Sequence, residues 1–329
     1  MDQNDLPASS SQASPPNVER SGEVSEVVWI PGGSFLMGSN RHYPEEAPAH
    51  KVTVDGFWME RHTVTNQEFA RFVAETGHVT LAEKPARAED YPGAAPELLE
   101  PSSVVFKKPT VPVDMRNVYN WWIYVKGANW RQPRGPGSTI EGLERHPVVQ
   151  VAFEDAEAYA RWAGRELPTE AEWEFAARGG LEGAEYSWGN EFKPEGKAMA
   201  NTWEGPFPYQ NLLEDGYEWT APVCSFPANG YGLFEMAGNV WEWTTDWYQD
   251  HGKITKSCCT LANPRGGDRE RSVDPRDQVR IPRRVMKGGS YLCAPNYCLR
   301  YRPAARMAQA VDTSTCHLGF RCVIRTSPA

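Results

Sequence analysis

The sequence predicts an α+β domain with little regular secondary structure, and three observations carry that prediction. The 329 residues include 28 Gly and 27 Pro spread along the chain, and each costs roughly 1–3 kcal/mol inside a helix, which excludes a helical bundle or coiled coil. Hydrophobic residues make up 40% and aromatic residues 12%, with 13 Trp, so there is enough apolar surface to bury a core. Three helix patterns with their own start and stop signals stand among short strand-like stretches. A large domain rich in ordered turns satisfies all three.

In chain order, residues 1–25 are mostly Ser, Pro, Asn, Gln and Glu and read as a disordered tail, followed by one domain over 26–329. Order begins with Val27-Val28-Trp29-Ile30-Pro31-Gly32-Gly33, a short strand ending in a turn, then Phe35-Leu36-Met37-Gly38-Ser39 and a candidate strand at Val52-Thr53-Val54. Thr65-Asn66-Gln67-Glu68 is a capping box, Phe69, Phe72 and Val73 mark one helical face, and Gly77 ends it. A second helix is expected from about Asp155, with Ala156, Tyr159, Ala160 and Ala163 at helical spacing and Gly164 as its stop. The third opens with Pro168-Thr169-Glu170-Ala171-Glu172 and stops at Gly179-Gly180. Beyond residue 180 the chain is turn-rich with short aromatic strands. Residues 84–117 and 263–284 read as surface excursions, and no internal repeat is visible.

A net charge of −9 and the absence of a basic stretch argue against nucleic-acid binding. No run of about 18 apolar residues exists to span a membrane. The start Met1-Asp2-Gln3-Asn4-Asp5 is acidic and polar, unlike a secretory signal, so a cytoplasmic protein is expected. Seven Cys, an odd number in a chain too large to need staples, fit a reducing compartment with mostly free thiols.

Cys293 and Cys298 are the sharpest chemical feature. They lie in Gly288-Gly289-Ser290-Tyr291-Leu292-Cys293-Ala294-Pro295-Asn296-Tyr297-Cys298, where Pro295-Asn296 is good turn chemistry that brings the two thiols toward one point. Convergent thiolates select soft metals: Cu(I), zinc or iron–sulfur. Zinc wants two further ligands at familiar spacing, and none is near. A disulfide or two inert buried thiols are the plain alternatives. Arg300, Arg302 and Arg306 are expected to favour the thiolates.

An oxygen-rich set, Asn201, Asp215, Glu235, Asn239 and Glu242, suits a hard cation such as calcium, or simply turns that bond their own backbone. The seven His are scattered without ligand spacing, and no phosphate-binding glycine loop is present.

Longer stretches carry a family resemblance: Ile30-Pro31-Gly32-Gly33-Ser34-Phe35-Leu36-Met37-Gly38, Gly127-Ala128-Asn129-Trp130-Arg131, and Gly164-Arg165-Glu166-Leu167-Pro168-Thr169-Glu170-Ala171-Glu172-Trp173-Glu174. Asn229-Gly230-Tyr231-Gly232-Leu233, Gly238-Asn239-Val240-Trp241-Glu242-Trp243 and Leu318-Gly319-Phe320-Arg321 complete them. Over about Val27 to Val323 the sequence resembles the formylglycine-generating enzyme (sulfatase-modifying factor) family, whose fold is distantly C-type-lectin-like. Such scaffold motifs imply the fold; the Cys pair after Gly-Gly-Ser-Tyr is what implies the activity.

The resemblance implies a copper-dependent oxidase. Cys293 and Cys298 would hold Cu(I), and the cysteine of a Cys-x-Pro-x-Arg segment in an unfolded or nascent sulfatase would be oxidised by dioxygen to formylglycine. Ser290 and Trp241 would line the pocket. Two structural calcium ions are implied, one at Asn201 and Asp215 with the carbonyls of Thr202 and Tyr217. The other would use Glu235 and Glu242 with the carbonyls of Gly238 and Val240. Two departures stand out: Ala294 follows the first Cys where some relatives have His, and Glu235 stands where Asn is common. Cys258 and Cys259 have no assigned role. The implied protein is a monomer in the cytoplasm. The runner-up is a non-catalytic peptide- or glycan-binding protein of the same fold, for which two thiols on one loop have no use. The iron-dependent sulfoxide synthase branch is set aside, since its His motif and extra helical domain are missing.

Overall fold

The computed structural model describes residues 26–251 and 260–325. The expected tail at 1–25 and the Cys258-Cys259 pair lie outside the described residues. Among the described residues, four small sheets and three α-helices frame long ordered loops, in keeping with the glycine and proline content. Strands β1 (Val27–Ile30), β2 (Gly33–Met37), β3 (His50–Val54) and β4 (Phe57–Glu60) come first. β1 pairs antiparallel with β4, and β2 with β3.

Helix α1 (Asn66–Thr76) starts where its capping box predicts. The Thr65 hydroxyl accepts the Glu68 amide, Glu68 reaches back to the Thr65 amide at 2.8 Å, and Gly77 closes the helix at φ 70°. Its Phe69, Phe72 and Val73 are buried. Strands β5 (Ser102–Phe106) and β6 (Trp122–Lys126) form an antiparallel hairpin. Residues 84–117 are therefore not wholly a surface excursion: Ser103, Val105 and Phe106 are buried, because β6 offers an edge that the local sequence does not announce.

Helix α2 (Phe153–Trp162) begins two residues before the expected start. Asp155 is the third residue of the helix, and its carboxylate reaches back to the Ala152 amide at 2.9 Å. Helix α3 (Glu170–Arg178) is capped by Thr169 and ended by Gly179 at φ 57°. All nine of its residues are buried, unlike a surface helix.

The remaining strands are β7 (Trp241–Trp247), β8 (Leu261–Ala262), β9 (Arg283–Lys287), β10 (Arg306–Ala310), β11 (Leu318–Gly319) and β12 (Val323–Arg325). The largest sheet runs β10-β9-β7-β11, with β11 parallel to β7. A buried clasp joins α3, β7 and the chain end. Arg321 grips Glu242 with two bonds of 2.8 Å, and Trp173 donates its indole N–H to the same carboxylate at 2.8 Å. Breaking one partner of such a pair costs about 3–5 kcal/mol, because the other charge is left buried. Among the described residues no helix is long and apolar enough to cross a membrane.

Candidate active site

The site is built on the turn that follows β9. Gly288 and Gly289 both have left-handed backbone, at φ 93° and 71°. A Cβ on Gly289 would stand 2.8 Å from the Arg300 carbonyl oxygen, so only glycine lets these two chain segments touch. The turn delivers Ser290, whose hydroxyl accepts the Leu292 amide at 3.2 Å and whose amide points at Cys293 Sγ at 3.4 Å. The Cys293 amide bonds the Ser290 carbonyl at 2.9 Å, and its own carbonyl accepts the Trp203 amide at 3.0 Å. A β-turn over Ala294–Tyr297, with Pro295 and Asn296 at its centre, is closed by Tyr297 N–H donating to Ala294 O at 3.0 Å. Cys298 N–H bonds the same carbonyl at 2.8 Å, which folds the second thiol back over the first.

The two sulfurs stand 3.2 Å apart, far beyond the roughly 2.05 Å of a disulfide. All five described cysteines, these two among them, are free thiols. Cys293 is 2% and Cys298 7% exposed. The pair is asymmetric. The thiol hydrogen bond from Cys293 leads in holding Cys298 down at about 7, with help from the Arg300 guanidinium and against burial. Burial, then the role of donor to Cys298, pushes Cys293 well above the usual thiol range.

Of the three arginines expected beside the thiols, only Arg300 reaches one, with Nη1 3.8 Å from Cys298 Sγ. Arg302 instead forks onto Glu46, and Arg306 onto Glu170 at 2.7 and 2.8 Å, because those buried carboxylates need partners of their own. Sequence reasoning missed the segment that holds Arg300. Tyr43 lies 3.9 Å beneath its guanidinium and accepts the Leu299 amide on its hydroxyl at 2.9 Å, while Glu45 accepts from Nη2 at 2.6 Å. Residues 255 positions apart leave no local signal of such a contact.

Aromatic walls flank the thiols. Tyr297, 36% exposed, stacks on Phe207 at 4.2 Å and meets Trp121 edge-on at 5.7 Å. Tyr301 stacks on Phe192 at 4.9 Å. Trp241 is buried in the same apolar cluster as Cys293, Cys298 and Tyr301. Ala294 is wholly buried in a cluster with Trp121, Trp203 and Phe207.

The oxygen-rich residues fall into two groups. Asp215 lies against the backbone next to Asn201: its carboxylate accepts the Thr202 and Tyr217 amides, both at 3.0 Å, and burial pushes it up to about 6. Asn201 donates its amide to Trp219 O at 2.8 Å, while its buried Oδ1 has no hydrogen-bond partner among the described residues. Glu235 and Glu242 are turned to separate partners. Glu235 accepts the Cys224 and Phe226 amides at 3.0 and 3.2 Å, and Glu242 is held in the Arg321–Trp173 clasp. Asn239, at φ 59°, ties this loop down by exchanging bonds with the Ala221 amide and carbonyl. Gly238 lies against the Asn201 carbonyl, and Val240 is buried. Among the described residues no three His, Cys, Asp or Glu side chains converge as a metal site, so the thiols stand as a two-ligand pair.

Fold and site together define a loop-rich α+β domain built around a buried dithiol. Comparison with known proteins gives that class its family: the model described as "Sulfatase-modifying factor enzyme 1-like domain" matches residues 11–326, and the chain belongs to that family. It is 53% identical to the formylglycine-generating enzyme of Mycobacterium tuberculosis, over 91% of this chain and 98% of that protein. The formylglycine-generating enzyme of Thermomonospora curvata is 45% identical, with 90% of this chain and 92% of that one covered. Among solved structures, PvdO from Pseudomonas aeruginosa shares the fold at a TM-score of 0.58 and 25% identity, covering 92% of this chain and 95% of its own.

Proposed function

We propose that this chain is an oxidase that converts the cysteine of a Cys-x-Pro-x-Arg segment in a sulfatase to Cα-formylglycine with dioxygen. The observation that carries this reading is the buried pair Cys293 and Cys298, with sulfurs 3.2 Å apart on a loop that two glycines shape. The relatives named formylglycine-generating enzymes, matched over nine-tenths of the chain, support the reaction. A purely peptide- or glycan-binding relative has no need of two apposed thiols.

The donor set fits Cu(I), which accepts two soft sulfur ligands where zinc wants four. Cys298, already inclined to the thiolate, and Cys293, whose proton must leave, would hold it. Bound there, copper supplies the oxygen chemistry at the substrate cysteine. The chain supplies the rest. Ser290 fixes Cys293 through its amide, and Trp241 belongs to the buried apolar cluster that includes both sulfurs. Tyr297 offers the exposed edge of the aromatic wall to an incoming unfolded or nascent polypeptide.

Calcium would brace the loops. At Asn201, Asp215 and the carbonyls of Thr202 and Tyr217, the support is the unpartnered Asn201 Oδ1. The second set, Glu235, Glu242 and the carbonyls of Gly238 and Val240, fits only in part, since a cation there would share Glu242 with Arg321. We take the protein to be a cytoplasmic monomer; the five described free thiols support a reducing compartment.

The test uses a peptide containing Cys-Thr-Pro-Ser-Arg, incubated under oxygen with the Cu(I)-loaded protein. Mass spectrometry should show the cysteine's mercaptomethyl group becoming a formyl group, and Cys293→Ala should abolish the change. If wild type and C293A behave alike, the oxidase reading is wrong.

A further inference from the structure

This inference rests on the copper reading above and concerns what balances the charge of the loaded site. When Cu(I) enters, both thiol protons leave, and one positive ion between two thiolates leaves a net single negative charge. Both sulfurs are buried, and a net charge in such surroundings is costly unless an opposite charge meets it.

The nearby cations differ sharply in availability. Arg302 is forked onto Glu46, and Arg306 onto Glu170. Lys287 lies between Glu174 at 3.0 Å and Glu170 at 3.6 Å. Arg300 points an N–H at a sulfur, 3.8 Å from Cys298 Sγ. Its arrangement is two-faced. Nη1 turns to the thiol, while Nη2 is held by Glu45 at 2.6 Å on the other edge of the guanidinium. The Tyr43 ring supports the plane from below. Because Glu45 touches the far edge, the sulfur meets the positive group first. The Arg300 and Glu45 side chains are only 19% and 20% exposed, so this is not a solvated surface pair.

We propose that Arg300 is the counter-ion of the thiolate–Cu(I) centre, preset against Cys298 by Tyr43 and Glu45, and that its charge sets the affinity for Cu(I). A planar guanidinium can stack on Tyr43 and bridge Glu45 to the sulfur at once. An ammonium at the end of a flexible stem supplies the charge without that fixed geometry.

The experiment is an anaerobic competition titration of the full-length protein with a chromophoric Cu(I) chelator, following also the ultraviolet thiolate-to-metal absorption. Wild type is compared with Arg300→Gln, Arg300→Lys, Glu45→Gln and the Cys293→Ser/Cys298→Ser double variant. Loss of an apposed charge at this distance should weaken Cu(I) binding by at least about tenfold in R300Q. R300K should recover part of that loss. E45Q, which keeps the charge of Arg300 and removes the opposing one, should bind as tightly as wild type or tighter. Wild-type affinity in R300Q overturns the proposal, as does an equal loss in R300Q and R300K. Should R300Q fail to fold, Arg300→Met, apolar and of similar length, takes its place, and wild-type affinity there overturns the proposal. If wild type binds no better than the double Ser variant, the copper reading itself falls, an outcome distinct from the others.

Discussion

Replacing Gly289 by alanine should damage stability and the site together. Gly289 adopts φ +71°, a conformation that costs an ordinary residue about 1–2 kcal/mol. The added Cβ would also stand 2.8 Å from Arg300 O, 2.9 Å from Arg300 C and 3.0 Å from Tyr301 N. All three are backbone atoms, so relief requires moving the 300–301 segment by several tenths of an ångström, at about 1–3 kcal/mol for overpacking. The expected loss is about 2–5 kcal/mol. Gly164 is the matched control, with φ +68° and open space where its Cβ would stand, and Gly164→Ala should lose only the dihedral cost of about 1–2 kcal/mol. Urea unfolding with linear extrapolation measures both. The segment that must move carries Arg300 and adjoins Cys298, so G289A should also speed alkylation of the thiols by iodoacetamide while G164A leaves it unchanged. Equal losses in the two variants would show that the dihedral alone matters and refute the close-approach argument.

Two further outcomes are expected. Burial pushes the Asp246 carboxyl up to about 6, above an unfolded value of about 3.9, so the folded protein retains a proton that the unfolded chain gives up. Its contribution to stability is therefore present below about pH 4 and lost as pH rises toward 6; Asp246→Asn should gain on wild type across that window by roughly 1–3 kcal/mol, and parallel stability curves would contradict it. Chelating calcium should lower the Tm, with recovery on adding Ca²⁺, and Asn201→Ala should remove most of that response; a Tm indifferent to chelation in wild type argues against the ion.

Much of the site was legible because its information is local. The Pro295-Asn296 turn needs no distant partner to bring Cys298 back to Cys293, and the boxes at Thr65 and Thr169 carry their own stop signals at Gly77 and Gly179. Where a side chain chooses among partners far apart in sequence, local reading loses its footing. Arg300, Arg302 and Arg306 look alike in the chain, yet carboxylates from residue 46 and residue 170 claim two of them. Glu235 in the loop before β7 and Glu242 on β7 lie close in sequence as two ligands of one ion would, but Arg321, 79 residues on, holds Glu242. Strand β5 was hidden for a related reason: its pairing partner lies across a long excursion, and its short sequence has no turn beside it to mark a hairpin.

The contact between Tyr43 and Leu299, spanning 256 residues, bears on how the protein comes into being at the ribosome. The Tyr43–Glu45 strap is made before the thiol loop and must wait for the intervening residues before it can meet it. The Glu242–Arg321 clasp closes later still. A chain interrupted before residue 298 lacks the second thiol, and one interrupted before 321 lacks the arginine of the clasp. Until both segments are in place the thiol loop lacks Tyr43 and Glu45 beside Arg300, so the charge set against the sulfurs is a product of tertiary closure and not of the Cys293–Cys298 loop alone.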